Sequence, residues 1–140
     1  MMEEAMDFKD LLDKKYKLYL ELYDILKEER DALIKVDIDR LFNLSDRKQN
    51  ICSSIEQIED DIRRSKQDYC IDTEFENVLI KERLYKINAV RIDIDILRKE
   101  NSKLITDILE FIDNIISILC VGGDKEIIYD RNCNMVKRVV

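Results

Sequence analysis

The chain has no histidine, no proline and no tryptophan, and only two glycines. Without histidine there is no Cys–His or Ser–His nucleophile pair and no Glu-x-x-His motif for a di-metal bundle site. The two glycines are adjacent, Gly122-Gly123, so neither a P-loop nor a G-x-G-x-x-G phosphate cradle exists. Four cysteines, Cys52, Cys70, Cys120 and Cys133, are scattered without a C-x-x-C pair. They read as reduced thiols of a cytosolic protein rather than as a zinc or redox site. No basic face interleaved with aromatics is present, and the net charge of −7 disfavours bulk attraction to nucleic acid or to an anionic membrane. The slightly basic tail after Cys120 is too small to reverse that. The most apolar segment, 104–121, carries Asp107, Glu110 and Asp113, which argues against membrane insertion. The opening Met1-Met2-Glu3-Glu4 is acidic and has no signal-peptide hydrophobic region. Carboxylates such as Glu59-Asp60-Asp61 read as solvated helix faces rather than a catalytic pair. These absences predict a soluble, cytoplasmic protein that is not an enzyme and holds no metal or cofactor.

What is present is charge and aliphatic side chains. Charged residues make up 39% and apolar ones 46%, too many aliphatics for a disordered chain and a mixture suited to long packed helices. With 140 residues the chain suits one elongated domain. The longest uninterrupted stretch runs from Thr73 to Cys120. It opens with the capping-box pattern Thr73-x-x-Glu76 and meets no glycine or proline before Gly122-Gly123. As one helix it would extend roughly 70 Å at ~1.5 Å per residue, so other helices or a partner must cover it.

A first helix is predicted over about 7–35, with two neighbouring seams: Leu11, Leu18, Leu22, Ile25 and Leu12, Tyr16, Tyr19, Tyr23, Leu26, Leu33. Together they make a stripe wide enough to touch two other helices. The tyrosines suit either a binding surface or, preferably, core-edge positions with their hydroxyls in water. Val36-Asp37-Ile38-Asp39 breaks the pattern, with Asp37 as N-cap of a second helix over about 38–65. Its seam, Leu41, Leu44, Lys48, Ile51, Ile55, Ile58, Ile62, alternates three and four residues as in coiled coils. Lys48 is expected to lay its stem along the interface and keep its ammonium in water. The short connection makes helices one and two an antiparallel hairpin.

Within the third helix, about 74–120, Val90-Arg-Ile-Asp-Ile-Asp-Ile96 alternates strictly and alone would read as a strand. No turn residue flanks it and no strand of comparable length is available as partner, so a helix is predicted. The face expected to pack is Val78, Tyr85, Ala89, Ile92, Ile96, shifting to Leu97, Leu104, Ile108, Phe111, Ile115. The architecture expected is all-α: an antiparallel three-helix bundle over 1–121, followed by a short flexible tail over 122–140. In the tail, Asn132 and Asn134 allow a small hairpin between 126–130 and 135–140, marginal in isolation and so expected to be mobile.

Two places concentrate apolar surface. One is Leu104, Ile105, Ile108, Leu109, Phe111, Ile112, Ile115, Ile116, Ile118 and Leu119, with polar residues confined to Asp107, Glu110, Asn114 and Ser117. This stretch is a groove for an amphipathic helix of a partner, or core of the bundle, or a homodimer interface. The other is Ile127-Ile128-Tyr129, an aromatic anchor in the tail. A structural coiled coil that self-associates without a client is the competing reading.

The chain resembles the FlgN family of small cytoplasmic chaperones of flagellar type III export, over almost its whole length. The residues that carry the likeness are Leu26-Lys-Glu-Glu-Arg-Asp-Ala-Leu33 before Val36-Asp37-Ile38-Asp39, then Leu41-x-x-Leu44, Lys48 and Ile51-x-x-x-Ile55-x-x-Ile58-Glu59. Further on come Leu97-x-x-x-Asn101-x-x-Leu104 and Ile128-Tyr129-Asp130. The resemblance implies binding of the C-terminal helical ends of hook-associated proteins, protection from early assembly, and delivery to the export apparatus. It implies Leu104, Ile105, Ile108, Leu109, Ile112, Ile115, Ile116 and Leu119 as the client surface. It also implies Ile128, Tyr129 and Asp130 as the part that docks on the export gate. One departure is Arg131-Asn132-Cys133-Asn134, where the family often has a glycine after the tyrosine.

Overall fold

The structure, a computed structural model, describes residues 7–68, 74–119, 125–129 and 135–139, and the side chains of 7–65 and 76–119. Thr73, the glycine pair, Cys70, Cys120, Asp130 and the Asn132-Cys133-Asn134 turn therefore lie outside the described residues. Among the described residues there are three helices, α1 (Phe8–Lys35), α2 (Ile38–Asp68) and α3 (Glu74–Leu119). A hairpin of β1 (Lys125–Tyr129) and β2 (Met135–Val139) follows, antiparallel, with Ile127 opposite Lys137 and Tyr129 opposite Met135. Val90–Ile96 is helical, as predicted against its local alternation. The chain forms two compact units, Met1–Asn101 and Ser102–Val140.

The turn between α1 and α2 is built from hydrogen bonds rather than glycine. Val36 sits in the left-handed region at φ 53°, ψ 43°. The Asp37 N–H donates to the Ala32 carbonyl (2.9 Å) and the Val36 N–H to the Leu33 carbonyl (3.2 Å), a Schellman closure. A β-branched residue there costs about 1–2 kcal/mol, which the paired carbonyls and the next cap offset. That cap is Asp37, whose carboxylate accepts the Arg40 N–H at 3.2 Å, as the sequence predicts for an N-cap.

Ion pairs report how the helices of the first unit run. Lys15 of α1 pairs with Glu59 of α2, whereas Glu28 and Glu29 further along α1 pair with Arg47 and Lys48 earlier on α2, so α1 and α2 are antiparallel. Asp13–Arg83 and Arg30–Glu100 keep one constant offset of 70 residues, so α1 and α3 run in the same direction. Phe8, Leu12, Tyr19, Leu22 and Leu26 of α1 pack with Ile55 of α2 and with Ile80, Ile87, Ile94 and Leu97 of α3. Ile25, Ala32 and Leu44 form a second, smaller cluster near the turn. Every member of the predicted α2 seam is buried or half-buried.

Three expectations are corrected. The inner face of α3 is Ile80, Ile87, Ile94, Leu97 and Asn101, not Val78, Tyr85, Ala89, Ile92 and Ile96, which all face outward. Residues two apart on a helix point to nearly opposite sides, so the Val90–Ile96 alternation puts aliphatics on both faces. The choice then falls to the seam that continues to Leu97 and Asn101. The Tyr19 hydroxyl is not in water but donates to Glu59 Oε1 at 3.2 Å, and Tyr19 is buried. Lys48 keeps 36% of its side chain exposed, but its ammonium is also paired across the helices: its Nζ donates to Glu29 Oε2 at 2.8 Å. Glu29, whose side chain is 12% exposed, also accepts from Asn101 Nδ2 at 3.0 Å. The same amide nitrogen donates to the Leu26 carbonyl at 3.0 Å, while Asn101 Oδ1 has no partner among the described residues. One cluster thus ties all three helices together.

Two outcomes test this packing. Burial, and then the Glu59 carboxylate, push the Tyr19 phenol up from 10.0 to about 12. The fold favours the protonated phenol, so this stabilisation is complete below pH 10 and is lost as pH rises toward 12. The urea midpoint should fall more steeply over that window in the wild type than in Tyr19→Phe; equal slopes would contradict the assignment. Lys48→Ala strands the Glu29 carboxylate and should cost about 1–3 kcal/mol. Adding Glu29→Gln should recover part of the loss in the same denaturation series, and no recovery would show that the charge is not what suffers.

Candidate functional site

The apolar stretch of late α3 belongs to the second compact unit. Four of its predicted site residues, Leu104, Ile105, Ile108 and Leu109, are half-buried, as is Ile116. Ile112, Ile115 and Leu119 are exposed. Phe111 at 65% and Ile118 at 76% are among its most exposed side chains; both belong to the apolar stretch read from the sequence but not to the eight residues expected as the client surface. They share the three-and-four periodicity of Leu104, Ile108 and Ile115, so the sequence signal was there. Asp107, Glu110, Asp113, Asn114 and Ser117 are also exposed. Late α3 therefore offers aliphatic and aromatic surface to solvent over several turns, with carboxylates alongside it.

Helix continuity is what makes this possible. No glycine or proline interrupts Glu74–Leu119, and Thr106 turns its hydroxyl back to the Ser102 carbonyl at 3.1 Å, so even its polar group stays within the helix. Large apolar side chains left in water on one helix are costly by about 25 cal/mol per Å2, a cost recovered when another apolar surface covers them. In the tail, Ile128 and Tyr129 lie in β1 with their backbones paired to Val136 and Met135. Asp130 lies outside the described residues.

The remaining features offer little chemistry. Among the described residues no group of three His, Cys, Asp or Glu could hold a metal ion. Cys52 is exposed. Two open clefts lie between α1 and α3, one lined by Asp13, Tyr16, Leu79, Glu82, Arg83 and Lys86, the other by residues including Tyr23, Arg30, Asp93 and Glu100. Each is lined by four charged side chains, unlike the predominantly apolar walls of small-molecule sites. Asp31, held below the usual carboxylate range by hydrogen bonds from Arg40 and Lys35, sits on the surface at the α1–α2 turn and not in a cleft. No described helix is long and apolar enough to cross a membrane.

A helical bundle that presents an apolar helix face has the make-up of a protein-binding module. The profile of the FlgN protein family matches residues 1–137, nearly the entire chain. The chain belongs to the FlgN family, which is a family of flagellar export chaperones. No curated protein and no solved structure matches it.

Proposed function

We propose that this chaperone acts in the cytoplasm on hook-associated proteins, binding their C-terminal helical region along late α3 and delivering them to the export gate. The observation that carries the reading is the solvent-exposed face of Phe111, Ile112, Ile115, Ile118 and Leu119 in a member of an export-chaperone family. An amphipathic client helix laid on this face buries its own apolar stripe, which would otherwise promote early assembly. Leu104, Ile105, Ile108, Leu109 and Ile116, half-buried beside it, form the floor of the contact. The exposed carboxylates Asp107, Glu110 and Asp113 form a rim that favours basic residues on the client helix. The tail residues Ile128, Tyr129 and Asp130 serve the export gate instead of the client.

Replacing Phe111, Ile118 and Leu119 together with Ser should leave the helical circular dichroism and melting temperature near wild type, because these side chains are largely in water. Calorimetric titration with a hook-associated C-terminal segment should show affinity at least about 100-fold weaker, since each aliphatic buried is worth ~1.5–3 kcal/mol. Unchanged affinity would place the client elsewhere on the chain.

Tyr129→Ala separates the two surfaces. A Tyr at an interface centre typically contributes ~2 kcal/mol or more, so recovery of the chaperone–client complex on the gate's cytoplasmic domain should fall while client affinity is preserved. A tenfold loss of client affinity with gate docking intact would assign the tail to the client site.

A further inference from the structure

The outward face of α3 in the first unit repeats with heptad spacing. Val78, Glu82, Tyr85, Ala89, Ile92, Ile96 and Lys99 follow one another in steps of four and three, the spacing of a coiled-coil seam. All seven are exposed, Tyr85 by 77%. The buried core is built from Ile80, Ile87, Ile94 and Leu97 instead, and of the seven only Glu82 and Ile96 also edge the open clefts toward α1. The face is thus a complete second seam on a helix whose first seam is already filled.

The order of residues along this seam selects its occupant. Read backwards, Glu82-Tyr85-Ala89-Ile92-Ile96-Lys99 is complementary to itself. An antiparallel second copy sets Glu82 against Lys99, Tyr85 against Ile96 and Ala89 against Ile92, each pair occurring twice across the two-fold axis. The flanking Lys86 then faces Asp93 of the other copy. A parallel pair would set Glu82 against Glu82 and Lys99 against Lys99, which is repulsive. Glu82, Lys86, Asp93 and Lys99 make no ion pair among the described residues, whereas neighbouring Arg83 and Glu100 are engaged with Asp13 and Arg30. The charges that would close the seam are therefore free to do so. From Glu82 to Lys99 the contact spans about 26 Å at ~1.5 Å per residue.

We propose that the chain self-associates as an antiparallel, two-fold dimer through the Glu82–Lys99 face of α3. This face lies wholly within the first compact unit and is distinct from the late-α3 client surface, so the proposal stands or falls independently of the client assignment.

Sedimentation equilibrium of the full chain, from about 5 to about 500 µM, reads the association directly. Wild type should shift from monomer to dimer within that range. Ile92→Asp, at an exposed position, should remain folded by circular dichroism and monomeric throughout. Glu82→Lys and Lys99→Glu should each weaken the dimer at least about tenfold, because the two-fold axis doubles the effect of each like-charge contact. Mixing these two variants should restore wild-type association, as should combining both changes in one chain. A wild type that stays monomeric at every concentration overturns the proposal and leaves the face to a partner of different sequence. A dimer that Ile92→Asp leaves intact overturns it as well, by showing that another surface pairs. Insensitivity to Glu82→Lys excludes the antiparallel register.

Discussion

The first unit depends on a polar contact at the meeting of its three helices. The Asn101 amide of α3 donates to the Leu26 carbonyl and to Glu29 on α1, and Glu29 in turn receives the Lys48 ammonium of α2. Apolar seams slide at modest cost, because one aliphatic side chain packs nearly as well as the next. A buried amide does not, since moving α3 by one turn, ~5.4 Å, would leave donor and carboxylate buried without partners at ~1–3 kcal/mol each. The same register brings Arg83 to Asp13 and Arg30 to Glu100 with one common offset. Burying the Asn101 amide gives up some stability relative to an aliphatic side chain. A single polar residue at a core position of a heptad seam is a known means of specifying register at that expense.

With α3 held in register, its surfaces acquire different roles. The inner seam of Ile80, Ile87, Ile94 and Leu97 is consumed by the bundle. The outer seam from Val78 to Lys99 and the late face from Phe111 to Leu119 are left in water. For an export chaperone this division has a physical logic. A surface that must receive and then give up an apolar client cannot be part of the core that keeps the protein folded, or release would cost the fold its stability. The high content of charged residues and the net charge of −7 keep such a surface soluble while it is empty.

Much of this was legible in the residues themselves. The α1 and α2 seams, the Asp37 cap and the hairpin of the first two helices follow from three-and-four spacing and one turn-forming break, because both helices carry aliphatics on essentially one side. Late α3 could be recognised as a concentration of apolar side chains for a different reason, since its polar residues are confined to Asp107, Glu110, Asn114 and Ser117. The family likeness rests on local patterns such as Leu97-x-x-x-Asn101-x-x-Leu104, and the family profile extends over residues 1–137. Tertiary structure alone decided which face of α3 turns inward, because Val90, Ile92, Ile94 and Ile96 supply both sides of the helix equally. It also decided the roles of Tyr19, Lys48 and Asn101. A sequence shows that a polar group is near a core seam, but whether it meets water, a carboxylate or a backbone carbonyl depends on residues 19 to 75 positions away that only the packed helices bring within 3.2 Å.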